Sequence, residues 1–586
     1  MRSLTSRSTV LLGALALAAA CPGLLRAAEP LKSQGNPPVA TFNRLHPYEE
    51  IVDLLKGYAA AYPQWTRLES IGKSGQGRDL WLLTITNPAT GPEASKPAMY
   101  IDGNTHANEV QGAEAALYTV EFLLKGYGRL PRVTEMLDRS VFYVLPVVNP
   151  DGRALWFKGP SNADFPRTVM VPRDDDRDGR VDEDGPDDLD GDGFIVTMRK
   201  KVPLGQGTHR LDPKDPRLLV PVQPGELGDY LFLGDEGIDN DGDGRVNEDP
   251  VGYVDPNRTW GFSWEPEYVQ AGAGAYPLSI PETRSIALWA MRHPNIAALQ
   301  SYHNNGQMIL RGPGAKADPL YPPQDLKVYD LIGKEGEKLL PGYRYFISWK
   351  DLYTVHGATT DHFYNLMGVL AFTNEMYNPP ADFDKNGEVS EAELMKFNDE
   401  LTFGRQFVDW HPYDHPQYGA IEIGGFKRDV GRVPEGWALE DETHRNNSFA
   451  LLNAYHLPRL SVGEAVVKKA GDRLWKLEVP VLNDRAIPSM TAMARQTRVH
   501  RQDIASVTGG KVISSGLVDD PYLDKIEIQE HRPDRLMVPG VDGLSTRILF
   551  FLVQGEGEVT FHYDSLKGGQ LAKRIALRET GTRAAK

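Results

Sequence analysis

The chain has 586 residues, 41% of them apolar and 25% charged, a composition that excludes a disordered protein and leaves room for more than one buried core. Lysine plus arginine number 64 against 80 aspartate plus glutamate, a formal charge of -16, which argues against a general nucleic-acid binder. The single cysteine, Cys21, excludes an intramolecular disulfide, a CxxC redox pair and a cysteine-ligated zinc site.

At the N-terminus, Arg2 and Arg7 precede the apolar run Val10–Ala20. That run is too short to cross a bilayer as a mature helix and suits the core of a signal peptide, here residues 1–27, which predicts export to a periplasm or the extracellular space. Ala18-Ala19-Ala20-Cys21 also has the look of a lipoprotein box, with Cys21 as an alternative lipid anchor. No other apolar run approaches membrane-spanning length, so no transmembrane segment is expected in the mature chain.

From about Thr41 to Tyr455, short apolar runs alternate with helical periodicity, the pattern of an α/β layer structure with a mixed central sheet and helices on both faces. Four apolar runs lead into polar, chemically able residues: Gly103-Asn104-Thr105-His106, Asn149-Pro150-Asp151-Gly152, His303-Asn304-Asn305-Gly306 and Asn374-Glu375. Ligands of open α/β sheets bind beyond the carboxyl ends of the strands, so the recurrence predicts one shared site in a domain spanning residues 28–456. Beyond it, short strand patterns such as Leu474–Asn483 and Thr546–Tyr563 predict a smaller all-β, sandwich-like domain over residues 457–586, with Gly555-Glu556-Gly557 as a hairpin turn.

His106 and Glu109 form an H-x-x-E pair, but about two His-x-x-acid spacings are expected by chance in such a chain, and His46, His209 and His411 have them too. Position separates them. His106 follows an apolar strand and Glu109 opens a helical stretch to Leu124, whereas His46 has no strand before it and reads as a surface histidine near an acid. Hydrolytic zinc takes three protein ligands and a water, and His303 completes a His₂Glu set. Glu375, at the end of another buried strand, is the candidate carboxylate that accepts the proton of the water.

Together these residues resemble the zinc carboxypeptidases of the carboxypeptidase A type over roughly Thr41 to Tyr455. His106-Ala-Asn-Glu109 looks like the first two zinc ligands of that family and His303 like the third. Asp255-Pro-Asn257-Arg258-Thr-Trp260 is similar to the DxNRxW segment, which implies that Asn257 and Arg258 grip the terminal carboxylate of a substrate, a task for which the planar fork of arginine is suited. Met198-Arg199-Lys200 looks like the WRK segment and makes Arg199 the candidate for the developing oxyanion. Tyr353, Asp361 and Glu375 keep the family intervals of eight and fourteen residues, which implies a lid role for Tyr353 and general-base catalysis by Glu375. Asn108 stands where many members have arginine, and Thr360 is neutral and small, favouring a neutral or apolar terminal residue.

The negative charge is concentrated. Residues 174–192 hold 11 acids against 2 arginines and residues 235–249 hold 7 against 1, together -15. Asp382, Asp384, Asn386, Glu388, Ser390 and Glu393, with Gly387 at the sixth position, fit a twelve-residue EF-hand loop followed by a helix over Glu391–Leu401. The first half of the pattern recurs at Asp174, Asp176 and Asp178, at Asp188, Asp190 and Asp192, and at Asp239, Asp241 and Asp243, without the closing glutamate. So many carboxylates repel one another without a cation, which predicts structural calcium and an arm ordered by it that presents Arg199.

The sequence thus predicts an exported zinc carboxypeptidase acting on peptides or proteins with a free C-terminus, with one catalytic Zn²⁺, structural Ca²⁺ and no nucleic-acid partner. A cell-wall peptide hydrolase with the same centre and a calcium-dependent surface binding protein with an inert centre are the alternatives.

Overall fold

The computed structural model describes residues 28–580 except 161–165, 176, 428–429, 521–522 and 524. Residues 1–27, expected above to be a signal peptide and including Cys21, and Asp176 lie outside the described residues. Eight strands form the central sheet, in the spatial order Thr66–Lys73, Asp79–Ile85, Val141–Leu145, Ala98–Gly103, Ile296–Asn304, Leu370–Met376, Met308–Arg311 and Arg344–Ile347. The middle four run parallel and the outer ones supply antiparallel pairings. The parallel strands are buried on both faces, which is why they read as continuous apolar runs.

Helices Tyr48–Ala61, Gln111–Gly126, Pro131–Arg139, Pro323–Leu339 and Gly436–Tyr455 cover one face, through Ile51, Leu117, Val133, Tyr329 and Phe449 among others. Helices Pro281–Met291 and Thr359–Met367 cover the other, with Trp289 and Phe363. From Ala98–Gly103 the chain next adds a strand on one side, Val141–Leu145, and later one on the other, Ile296–Asn304. The switch point between those strands opens the crevice in which α/β proteins place ligands.

The structure adds one sheet to the expected architecture and changes two expectations. The acidic insertion is folded: Phe407–His415, Gly419–Phe426, Thr197–Lys201, Tyr230–Asp235, His209–Leu211 and Leu219–Pro221 make a second, antiparallel sheet around Val196, Met198, Ile421 and Ile423. Its short strands are separated by long turns, so their alternation is diluted in the sequence. The turn at Gly555–Gly557 is not a hairpin, because Ser545–Gln554 and Glu558–Ser565 belong to different sheets. Each strand buries one face against the other sheet, with Phe551 edge-on to Phe561 at 6.0 Å, so the chain arches across a sandwich. Finally, His46 is buried, not superficial.

The β-sandwich docks on the central sheet and one of its covering helices. Asp325 accepts backbone N–H groups of Ala492 and Met493 at 2.9 Å, and the buried Lys567 ammonium donates to the carbonyl of Ile296, at the start of a central strand. No described helix is long and apolar enough to cross a membrane.

The helix Gln111–Gly126 reaches the sheet edge only because two glycines meet there. A Cβ on Gly112 would lie 2.7 Å from the carbonyl oxygen of Tyr302 and 2.8 Å from the amide of Asn104, both backbone atoms that cannot swing aside. Gly112→Ala is therefore expected to destabilise the protein by about 1–3 kcal/mol, read as a lower urea midpoint.

Candidate metal centre and active site

The centre starts from the turn after Ala98–Gly103. Asn104 adopts a left-handed backbone (φ 53), which asparagine tolerates better than branched residues. Its Nδ2 donates to the carbonyls of His106 and Ala107, at 2.8 and 3.2 Å. Its Oδ1 accepts from Arg153 Nη1 at 2.8 Å. Arg153 sits on the helix Pro150–Lys158, which Asn149 caps by accepting the Gly152 N–H at 2.9 Å. Arg153 is fully buried and neutralised by the equally buried Glu114, at 2.7 Å, which also holds His46 Nδ1 at 2.6 Å. This buried ion cluster is what the Asn-Pro-Asp-Gly run and His46 serve: they fasten the turn rather than act in it.

His106, Glu109 and His303 converge and are buried. Glu109 Oε1 lies 2.7 Å from His106 Nδ1, Glu109 Oε2 lies 2.9 Å from His303 Nδ1, and the two Nδ1 atoms are 3.2 Å apart. The helix begins at Gln111, so Glu109 belongs to the turn before it. His106 Nε2 faces Asp255 Oδ1 at 3.0 Å. With Asp255 at Nε2, Nδ1 is the nitrogen that faces Glu109 and His303, the carboxylate–histidine arrangement that orients a metal-ligating imidazole. Two inward nitrogens and a carboxylate, without sulfur, fit a catalytic zinc. Although burial opposes ionisation, the charges of His106 and His303 hold the Glu109 carboxyl well below its ordinary value, and those of His106, Arg258 and Arg167 do the same for Asp255.

Glu375 is one residue from the end of its strand and directly opposite His303 in the parallel register. Burial, reinforced by the charge of Glu109, pushes its pKa up to about 7, against the pull of His303, Arg167 and Arg258. Asn257 turns its Oδ1 to the N–H and hydroxyl of Thr359, at 2.9 and 3.0 Å, leaving its amide NH₂ for a further acceptor. Arg258 is buried, donates Nη1 to the Asn257 carbonyl at 2.8 Å, and reaches the Tyr353 hydroxyl with Nη2 at 3.4 Å. Tyr353 itself is 50% exposed, as a side chain over the mouth of a crevice would be.

Arg199 does not join this group. It lies in the second sheet, donates Nε to Glu422 Oε2 at 2.8 Å and stacks over Trp410 at 4.0 Å. Another arginine does: Arg167 Nη1 donates to Glu109 Oε1 at 3.1 Å, while Nη2 lies 3.1 Å from His106 Nε2 and 3.5 Å from Asp255 Oδ2. The sequence reading matched Arg199 by a three-residue string and missed Arg167 and the orienting role of Asp255. Arg167 stands in an irregular stretch with no periodic signal, although the backbone bond from Ala107 N to its carbonyl, 2.9 Å, pins it to the metal-ligand turn.

The EF-hand-like loop is preformed. Asp382 Oδ2 accepts the Gly387 N–H at 3.1 Å, and Glu393 Oε1 accepts from Phe383 and Asp384, at 2.9 and 3.2 Å. Asp384, Asn386, Glu388 and Ser390 lie on the same turn and the helix Glu391–Leu401 follows without an entering one. The bond from the sixth-position glycine to the first aspartate recurs at Asp174, Asp188 and Asp239, at 3.0–3.1 Å.

With this geometry in hand, the comparisons with known proteins are specific. The profile of the family described as zinc carboxypeptidase matches residues 51–186 and 234–386. Those stretches contain His106, Glu109, Arg167, Asp255, Asn257, Arg258, His303, Tyr353 and Glu375, and leave out Arg199. The chain belongs to the zinc carboxypeptidase family. A second profile, of a domain of unknown function, matches residues 459–576, within the β-sandwich. Among curated proteins, human carboxypeptidase D is 34% identical over 123 residues, 21% of this chain and 9% of that one. A zinc carboxypeptidase of Saccharothrix mutabilis subsp. capreolus is 35% identical over 108 residues, 18% and 24% of the two chains. The matches thus span a quarter or less of the length of these relatives. A crystal structure of carboxypeptidase A from Helicoverpa armigera is 17% identical with a TM-score of 0.44, covering 72% of this chain and 77% of that one.

Removing the counter-charge beneath the metal-ligand turn is the sharpest test of its foundation. Arg153→Met leaves the buried Glu114 without its arginine partner, and is expected to cost about 3–5 kcal/mol of stability, measured by denaturant unfolding.

Proposed function

We propose that the protein is an exported zinc carboxypeptidase that releases the C-terminal residue of peptides. The observation that supports the reading is the convergence of His106, Glu109 and His303, with Glu375 opposite His303 in the strand register and with Asp255, which faces His106, leading into Asn257 and Arg258, the latter in reach of Tyr353. A metal triad alone suits many hydrolases; an arginine–asparagine clamp under an exposed tyrosine suits a substrate that ends in a carboxylate.

Arg258 and the Asn257 amide hold the terminal carboxylate, and Tyr353 closes over it. That fixes the last peptide bond against Glu375. A zinc ion bound by His106, Glu109 and His303 supplies Lewis acidity to the scissile carbonyl and to the attacking water. Glu375 takes the proton of that water and returns it to the leaving amine, a role suited to a carboxylate raised to about 7. Arg167, kept cationic by Asp255 and Glu109 although burial opposes it, donates to the oxygen on which negative charge develops. Calcium in the EF-hand-like loop Asp382–Glu393 belongs to the same reading as a structural cation. Export rests on the leader read from residues 1–27.

Glu375→Gln is expected to lower kcat by about 10²–10⁴-fold with zinc content unchanged, in an assay of amino-acid release from a peptide library. Blocking the C-termini of the same library as amides should abolish release by the wild type. Equal cleavage of amidated peptides, or release only from cross-linked cell-wall peptides, would replace the exopeptidase reading.

The two arginines separate cleanly. Arg167→Met should cost about 10²–10³-fold in kcat, whereas Arg199→Met, whose stem still packs on Trp410, should leave kcat unchanged. The reverse result would return the oxyanion role to Arg199.

A further inference from the structure

We propose that segments 174–184 and 239–249 form one shared calcium cage, and that calcium there holds the arm that brings Arg167 and Arg258 to the active site. The two segments are far apart in sequence but meet as a β-bridge: Asp184 and Asp249 exchange backbone hydrogen bonds, at 3.3 and 3.0 Å. The bridge interleaves their acids. Asp178, Glu183 and Asp241 present ligand oxygens within 4.8 Å of one another, as do Asp184, Asp239 and Asp241, and Asp241, Asp243 and Glu248. Asp241 is common to all three sets.

Proximity of acids alone would mean little; the partners of these carboxylates are what point to a ligand. Asp184 is fully buried; its Oδ1 accepts from Asn240 Nδ2 at 3.1 Å, but no hydrogen-bond donor reaches its Oδ2, and none reaches either carboxylate oxygen of the partly exposed Glu183 and Glu248. Burying an ionised carboxylate without a donor or a counter-charge is strongly unfavourable. Of the nearby cations, Arg173 pairs with Asp175 at 2.7 Å, and Arg180 and Arg245 approach Asp178 and Asp243 to 3.8 and 3.7 Å, with side chains 68% exposed. The acidic turn at Asp188 and Asp190 is a useful contrast. There Glu236 is also buried, but its own oxygens accept the N–H groups of Leu189, Asp190 and Val196, and only Asp188 Oδ1 of that group finds no donor. The missing partner of the 174–184 and 239–249 cage is a hard cation. An all-oxygen set with many carboxylates and flexible geometry selects calcium over zinc, which prefers nitrogen and sulfur, and over magnesium, which keeps a strict octahedron of waters.

The cage is wired to the active site by short steps. Arg173 N donates to Asp182 Oδ1 at 3.1 Å, and its guanidinium covers the Tyr253 ring at 3.4 Å. Next to that pair, Val169 N donates to the Val254 carbonyl at 3.0 Å. Arg167 lies two residues before Val169, and Asp255 and Arg258 follow Val254. Without the cation, the carboxylates repel, the bridge opens and both arginines lose their place, while His106, Glu109 and His303 stay on the core sheet. The cage itself stands independently of the peptidase reading; its effect on turnover rests on it.

The test uses the full-length, zinc-loaded protein and calcium chloride as the probe. Calorimetric titration after a calcium-selective chelator should show calcium binding that Asp241→Asn and, separately, Glu248→Gln weaken, while Asp382→Asn, in the EF-hand-like loop, leaves this binding in place. Calcium should protect segments 174–249 from limited proteolysis. Its removal should lower turnover by on the order of 10²-fold, with zinc retained and with recovery on calcium but not magnesium. No calcium binding by the wild type, or binding and protection unaltered in both cage variants, overturns the site. Binding with protection but unchanged turnover overturns its control of the arm. A wild type that releases no amino acid in either state defeats the peptidase reading alone, since titration and proteolysis still decide the cage.

Discussion

The contact between His106 Nε2 and Asp255 Oδ1 joins residues 149 positions apart at 3.0 Å, and most of the active-site arrangement depends on it. On one side of the bond lies a turn at the edge of a rigid, buried sheet. On the other lies an irregular segment whose next residues are Asn257 and Arg258. That one contact therefore orients His106 and sets how close Asn257 and Arg258 stand to it. Arg167 completes the knot, because it reaches Glu109 and Asp255 at once. The electrostatics are mutually reinforcing: each carboxylate in the knot is ionised because a cation or an imidazole faces it, and each cation is retained because the carboxylates outweigh the cost of burial.

The catalytic sheet was readable because a parallel strand is apolar along its whole length, and polar residues at the ends of such strands stand out. His106, His303 and Glu375 were found that way, and the glutamate–histidine register across two strands bears out a common edge. Arg199 was misread because a short string of basic residues carries no information about which sheet its strand joins. Arg167 escaped because an irregular segment is positioned by long-range hydrogen bonds, not by periodicity. His46 looked superficial because its partners, Glu114 and Arg153, are 68 and 107 positions away. The arch at Gly555–Gly557 has the composition of a hairpin, and only the apposition of two sheets decides otherwise.

The acidic segments divide by partners rather than by composition. Four turns share one backbone motif, and in all four the leading aspartate is met by amide protons; the difference lies in the acids beside them, since Glu236 is met by amide protons while Glu183 and Glu248 are not. Formal charge treats all four alike. The distinction lies in which oxygens find a donor, and it turns a bulk excess of -16 into a local property of one bridge beside the active site.

The lysine of the β-sandwich that donates to Ile296 has a consequence for how the molecule is put together. Ile296 begins the strand that ends in His303 and Asn304. The strand is thus gripped at its entry by one module and delivers a metal ligand at its exit to another. A catalytic portion ended after Tyr455 would leave that carbonyl to water and uncover Asp325, whose oxygens now hold two amides of the sandwich. The C-terminal module is in this sense an abutment of the catalytic sheet, and the boundary between the two in sequence is not a boundary in the load path that fixes His303.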